Sequence, residues 1–260
     1  MNQSDDVLNQ YLRAVRAAID AVEATQLDAV RAAAERFAWS ILAGRLVHVF
    51  GTGHSRMAVE EMFPRYGSFP GFHPIVELSM TFHNPVVGAN GQRQAMFLEN
   101  VQGFGPVLWR NFATTPADTL LAISTSGCNA VTIDVALEAR RLGMSVVALT
   151  SLEHARVSTS QHKSGKKLFE VADLVLDHQA PAGDSAVWVE GLTSPVAPIS
   201  SISGCLVINL LKAEVARLLT EAGQPPIVLT ASCHVGADAA RALFEAAYDD
   251  YRRRVGVLYR

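Results

Sequence analysis

Apolar positions recur at three- and four-residue steps along the first stretch of the chain: Leu8, Leu12, Val15, Ile19 and Val22, then Leu27, Val30, Ala34, Phe37 and Ile41. That spacing aligns them on one face of a helix. The sequence Thr25-Gln-Leu-Asp28 reads as a break, so residues 4–43 are predicted to form a pair of helices. An alanine-rich pair without a sheet of its own has to bury its stripe against the domain that follows or against a second subunit. Residues 1–43 are therefore expected to brace the fold or to dimerise it.

After Gly44 the pattern changes to short β-rich runs, each ending in glycine or small polar residues and each followed by a helical stretch. Leu46-Val-His-Val-Phe50 runs into Gly51-Thr-Gly-His-Ser55 and a helix near 57–66; Thr119-Leu-Leu-Ala-Ile123 runs into Ser124-Thr-Ser-Gly-Cys-Asn129 and a helix near 131–142. Ser145-Val-Val-Ala-Leu-Thr150 and Ala172-Asp-Leu-Val-Leu-Asp177 are two further strands. Between the two loops, residues 67–94 carry Pro70, Pro74 and Pro85 and read as an elaborated connection with a short strand around 75–78. Strands alternating with helices of this length build βαβ units on a parallel sheet. The fold class is α/β, a three-layer, doubly wound parallel sheet over residues 44–222. Residues 199–219 form a further helix, Gly223-Gln-Pro-Pro226 breaks it, and residues 223–260 are a C-terminal helical extension built on a helix at 237–254. No internal repeat or low-complexity tract is present.

Composition narrows the function classes. In 260 residues, 49% hydrophobic and 18% charged, there is enough apolar material for a sizeable core, which excludes disorder as a description of the chain. The apolar runs are broken by charge before the roughly 20 residues that a membrane span needs, and Met-Asn-Gln-Ser-Asp-Asp at the start lacks the basic-then-apolar signal pattern. A net charge of −3 gives no general attraction to nucleic acid. Three widely spaced cysteines, Cys128, Cys205 and Cys233, suit a reducing compartment, and a cytoplasmic location is expected.

The two loops occupy the place where open α/β sheets bind ligands, beyond the carboxyl ends of strands and at helix N-termini. Ser124, Thr125 and Ser126 offer hydroxyls, Gly127 permits close backbone approach and Asn129 adds an amide; a phosphate would accept several of these hydrogen bonds at once. The alternative is that the serines cap the following helix. The first loop opens like a dinucleotide fingerprint, but Arg56 stands where the third glycine belongs, and neither loop has the GxxxxGK[ST] pattern. What remains is a pocket for a small phosphorylated molecule.

Val49-Phe-Gly-Thr-Gly-His-Ser55, Leu121-Ala-Ile-Ser-Thr-Ser-Gly-Cys-Asn129, Arg141-Leu-Gly-Met-Ser-Val-Val-Ala-Leu-Thr150 and Leu168-Phe-Glu-Val-Ala-Asp-Leu-Val-Leu-Asp177 resemble, in order and spacing, the SIS (sugar isomerase) domain family. The likeness covers residues 35–220 or so. The Ser-Thr-Ser-Gly form is similar to phosphoheptose isomerases, while 51–66 and the Ser200-Ser…Gly204…Asn209 stretch are similar to N-acetylmuramic acid 6-phosphate etherases; the whole chain most resembles a group described as phosphosugar isomerases. The resemblance implies a flavodoxin- or Rossmann-like SIS fold that binds a small phosphorylated sugar. It implies that Ser124, Thr125 and Ser126 hold the phosphate, with Asn129 where several members have threonine, and that Gly53, His54 and Ser55 face the sugar. It further implies a homodimer or homotetramer with sites near subunit interfaces.

Aldose–ketose isomerisation needs a base for the proton beside a carbonyl and an acid to move protons between oxygens. Glu60 and Glu61, on the helix after the first loop, resemble a Glu-Glu pair of phosphoheptose isomerases, although the spacing from the loop serine differs; a solvated face or an Arg56–Glu60 pair is the bland alternative. His162, in the polar loop Gln161-His-Lys-Ser-Gly-Lys-Lys167, is the second candidate, and His54 a third. Where phosphoheptose isomerases have a histidine on the C-terminal helix, this chain reads Ser200-Ser-Ile-Ser-Gly204, which argues against a heptose substrate. His178, Asp184 and Glu190 around Pro181-Ala-Gly-Asp184, and Glu99-Asn100, either line a pocket or satisfy loop backbone. His73, His83, His154 and His234 lack metal-ligand spacing, so neither metal nor organic cofactor is expected. The reading is a sugar-phosphate isomerase working by proton transfer at C1 and C2. Its alternatives are β-elimination of a lactyl ether and a noncatalytic phosphosugar sensor.

Overall fold

The computed structural model describes residues 6–82, 84 and 87–260; Ser4, His83 and Pro85 of the sequence reading lie outside them. Five parallel strands make one sheet in the order β2-β1-β3-β4-β5: β1 is Val47–Gly51, β2 Phe72–Pro74, β3 Thr119–Ile123, β4 Ser145–Thr150 and β5 Leu174–Asp177. Register pairs Val47 with both Phe72 and Thr119, Thr119 with Ser145, and Val147 with Leu174.

Alternate side chains of these strands enter two separate cores, as the two-residue period of a strand requires. On one face Val47, Val49, Leu121, Ile123, Val147 and Leu149 pack under α1 (Val7–Leu42), α2 (Arg56–Met62) and α4 (Ser200–Glu221). On the other, Phe50, Leu120, Ala122, Val146 and Ala148 pack under α3 (Ala130–Arg141) and the short helix Phe104–Trp109. A sheet covered on both faces reads as continuous apolar runs, which is why β1, β3 and β4 were visible in the sequence. A last helix, α5 (Ala237–Val255), follows as expected.

Three elements differ from expectation. The predicted pair of N-terminal helices is a single helix of 36 residues. No glycine or proline interrupts it, Thr25 donates its hydroxyl to the Ala21 carbonyl inside the helix, and Gln26 faces inward and accepts the Asp177 N–H at 2.9 Å. The polar run is thus a contact with β5. The short strand expected near 75–78 lies at Phe72–Pro74; it is an edge strand, where proline is tolerated. The helix expected to reach residue 66 ends at Met62, because Phe63 precedes Pro64 and takes extended backbone. Among the described residues no helix is long and apolar enough to cross a membrane.

Candidate functional site

The strand order reverses between β1 and β3, and a crevice opens at such a switch point beyond the carboxyl ends. Gly51 ends β1 there: a Cβ on it would lie 3.1 Å from the Ser55 Cβ and 3.2 Å from the Ile123 carbonyl, so only glycine lets the two strand ends approach. Thr52 donates to Glu99 at 2.8 Å, and Gly53, at φ +53, turns the chain into the single 3₁₀ turn Gly53–Ser55 that leads into α2. His54 and Ser55 are left at the rim of a cleft of about 130 Å³.

The second loop forms the opposite wall. Ser124 Oγ accepts the Gly127 N–H at 3.1 Å and Ser126 Oγ accepts the Cys128 N–H at 3.3 Å. These serines hold the loop itself and do not cap α3, whose N-cap residue Asn129 makes no side-chain cap bond. The Thr125 carbonyl accepts from the Ser151 N–H and the Thr150 hydroxyl, at 3.0 and 3.1 Å, which fixes this residue where it lines the cleft. Gly127 is left-handed at φ +61, with Thr150 Oγ1 3.2 Å and Leu168 Cβ 3.3 Å from where a Cβ would sit.

The third wall comes from residues 178–204. His178 follows the end of β5, donates its N–H to the Thr150 carbonyl at 3.0 Å and is almost completely buried in the cleft lining. Burial pushes its pKa down to about 4, against the opposite pull of Asp177 and Asp184, so the imidazole is neutral at pH 7. Asp184, left-handed at φ 52, reaches across to the start of α4. Its Oδ1 accepts the N–H groups of Ile199 (3.0 Å) and Ser200 (2.8 Å), and its Oδ2 accepts the Ser200 hydroxyl at 2.5 Å. A carboxylate at a helix N-terminus satisfies donors that the helix cannot. Ser200, Ser201 and Gly204 of α4 complete the lining with Met57, Ala58 and Ile123.

The predicted site residues divide into three groups. His54, Ser55 and Thr125 line the cleft; Gly53, Ser124, Ser126 and Asn129 build its two loops. Glu60, Glu61 and His162 are absent from the lining. Glu60 borders a separate apolar slot with Val59, Phe63 and Phe82, and Arg56 donates to the Thr81 carbonyl and lies over the Phe82 ring at 5.1 Å. Glu61 sits between α2 and α4, bonded to Asn209 (3.1 Å), the exposed Arg65 (2.7 Å) and the buried Lys212 (3.2 Å). Burial raises its pKa, but the hydrogen bonds from Asn209 and Lys212 outweigh it and hold the carboxyl below its ordinary value. His162 is clamped on the α3 side between Asp134 at 3.0 Å and Ser164 at 2.7 Å.

His178 and Asp184 belong to no motif. The readable signal is position, directly after the last strand, where loops at the carboxyl edge converge. Among the described residues no group of three or more His, Cys, Asp or Glu is arranged to hold a metal ion.

The SIS domain pattern matches residues 10–151 of this chain. A UPF0309 protein of Oceanobacillus iheyensis is 34% identical, over 93% of this chain and 97% of its own length. Among solved structures, a phosphoheptose isomerase from Francisella tularensis aligns with a TM-score of 0.54 at 19% identity, covering 83% of this chain and 99% of that one. The sugar isomerase domain of an RpiR transcription factor from Sphaerobacter thermophilus aligns at 0.50 with 16% identity, covering 95% and 99%. At such identities the two structures share the fold.

Proposed function

Because the chain belongs to the SIS domain family, we propose that it binds a phosphorylated sugar in the cleft between the two loops and α4 and interconverts its aldose and ketose forms. The observation that carries the reading is the loop at 124–129: it joins the carboxyl end of β3 to the N-terminus of α3, and Thr125 within it shares the cleft with His54 and Ser55 of the β1 loop. Hydroxyls and a helix N-terminus then meet the phosphate, and the sugar end extends toward His178, Asp184 and α4. Anchoring the phosphate supplies remote binding energy that orients the reacting carbons.

Lactyl-ether elimination fits this cleft less well. Its substrate carries, besides the phosphate, a carboxylate on the departing lactyl group, and the lining offers Asp184 but no lysine or arginine to meet that second anion. Leu8, Leu12 and Ile19, exposed on the N-terminal half of α1, support a homodimer, for which sedimentation equilibrium is the test.

Replacing Ser124 and Ser126 together by alanine is expected to weaken binding of a sugar phosphate by 10-fold or more, on the order of the 1.5–3 kcal/mol of a hydrogen bond to a charged group. Calorimetry with hexose, pentose and N-acetyl amino-sugar phosphates checks it. Unchanged affinity would remove the phosphate from this loop. Proton NMR of the same panel in deuterated water reports the chemistry: deuterium at C2 with aldose–ketose conversion supports isomerisation, lactate release from N-acetylmuramic acid 6-phosphate supports the etherase, and binding without exchange supports a sensor.

A further inference from the structure

We propose that His178 and Asp184, in place of Glu60, Glu61 and His162, move the protons at the sugar end of this cleft; the assignment rests on the isomerase reading above. Two independent features of the structure carry it.

The first is placement. His178 and Asp184 line the same cleft as Ser55 and Thr125, whereas both glutamates and His162 lie outside the lining and have side-chain or packing partners elsewhere. Asp184 accepts three hydrogen bonds, two on Oδ1 and one on Oδ2. An ionised carboxylate has about four acceptor sites, so one on Oδ2 stays open for an incoming proton. The Ala180 N–H is aimed at His178 Nδ1 at 3.4 Å, and on that contact we assign the proton of the neutral ring to Nε2.

The second is backbone strain. Gln179, Asp184 and Ala197, at φ 61, 52 and 67, are the non-glycine residues with positive φ among the described residues, and all three lie in the strap between β5 and α4 that carries this pair. Left-handed backbone costs each such residue on the order of 1 kcal/mol, and it persists where the surroundings over-determine a geometry. Here it turns the chain so that His178, next to the end of β5, and Asp184, hydrogen-bonded to the start of α4, enter one cleft.

The chemistry balances without a co-reactant. For an open-chain aldose the C2 proton passes to Asp184 Oδ2, and its electron pair forms the C1–C2 double bond as the C1 carbonyl oxygen takes the His178 Nε2 proton. The ring recovers a proton from the C2 hydroxyl, and Asp184 returns its own to C1, giving the ketose with both side chains restored. A buried neutral imidazole suits this exchange between oxygens, since it donates from a ring that carries no charge. The titratable groups facing the ring are Asp177, Asp184 and His154.

The test compares Asp184→Asn, His178→Gln, Glu61→Gln and His162→Asn in the full chain. The readouts are deuterium entry at C2 of the fastest-exchanging sugar phosphate of the panel, calorimetric affinity for that compound, and the thermal unfolding midpoint. Asp184→Asn keeps an oxygen for the Ile199 and Ser200 N–H groups and is expected to lose exchange by about 100-fold or more, the usual worth of a general base, with affinity within about threefold. His178→Gln is expected to lose exchange by 10-fold or more at similar affinity, while Glu61→Gln and His162→Asn exchange at near wild-type rates. Exchange by Asp184→Asn at the wild-type rate, or its abolition by Glu61→Gln in a folded protein, overturns the assignment and leaves the isomerase reading intact. A wild-type protein that binds sugar phosphates but exchanges none overturns both.

Discussion

Buried histidines lie at both ends of the sheet, and their surroundings separate a structural imidazole from one that can act. His48 in β1 and His73 in β2 meet through their Nδ1 atoms at 3.0 Å, enclosed by Trp109 and Phe112. Burial pushes His48 down to about 3, reinforced by its neighbour His73, and burial pushes His73 down to about 4, against the pull of Asp118. His178 at the carboxyl end of β5 reaches about 4 for the same leading reason. The shifts are therefore nearly alike, and a displaced pKa does not distinguish function from packing here. The difference is what the free edge of the ring meets. His48 Nε2 is buried with no hydrogen-bond partner, 3.8 Å from Asp118, whereas His178 is part of a cleft wall lined by serine, threonine and aspartate.

The same comparison predicts the largest effect, acid destabilisation. Each of the three histidines has its folded pKa below the unfolded value of 6.5, so the unfolded chain binds more protons between the two values. The stability they contribute is complete above about pH 6.5 and is lost as pH falls toward 4, by up to about 1.4 kcal/mol per pH unit for each ring. Urea midpoints at pH 7, 6, 5 and 4.5 should fall with increasing steepness. A flat profile down to pH 5 would show that these rings are not buried and neutral. His178→Gln should remove one third of the slope and His48→Gln another third, but His178→Gln is the variant that slows deuterium exchange.

A second contrast sets the cleft against the Glu61 cluster. Lys212 is buried, with its ammonium on the carbonyl and carboxylate of Glu61 at 2.9 and 3.2 Å. Glu61→Gln removes the charge that meets it and is expected to cost about 1–3 kcal/mol, because a buried ammonium is left with neutral partners. Differential scanning calorimetry reads this as a lower unfolding midpoint, while exchange at C2 persists. Stability unchanged and exchange abolished would reverse the roles assigned to Glu61 and Asp184.

The parts of the molecule that were legible in the sequence are those written in local pattern. β1, β3 and β4 are continuous apolar runs, and the loops at 51–55 and 124–129 announce themselves by glycines and hydroxyls after a strand. The single helix α1 was hidden because Gln26, the residue that suggests a break, makes its inward hydrogen bond with a strand 151 positions away. β2 was displaced because Pro74 in a strand is acceptable only at a sheet edge, and edges are a property of topology. The third wall of the cleft was hardest to read. His178, Asp184 and Ser200 converge only once β5 and α4 are placed, and no spacing in the strap signals left-handed backbone at Gln179, Asp184 and Ala197. The glutamate pair drew attention through resemblance, yet its helix turns Glu61 toward α4 and Glu60 toward the slot beside Phe82.

The smallest expected effect is the most discriminating within the cleft. Ser200 contributes its hydroxyl to Asp184 Oδ2, while the two N–H groups on Oδ1 come from the backbone and survive any side-chain change. Ser200→Ala should therefore cost only about 0.5–1.5 kcal/mol, the net worth of one hydrogen bond, or a few degrees in the unfolding midpoint. Exchange at C2 should change by less than about 10-fold, since the two backbone N–H groups on Oδ1 still hold the carboxylate in place. If Ser200→Ala abolishes exchange as fully as Asp184→Asn does, with the fold intact, the proton passes through the serine hydroxyl, and Asp184 is reduced to orienting it at the N-terminus of α4.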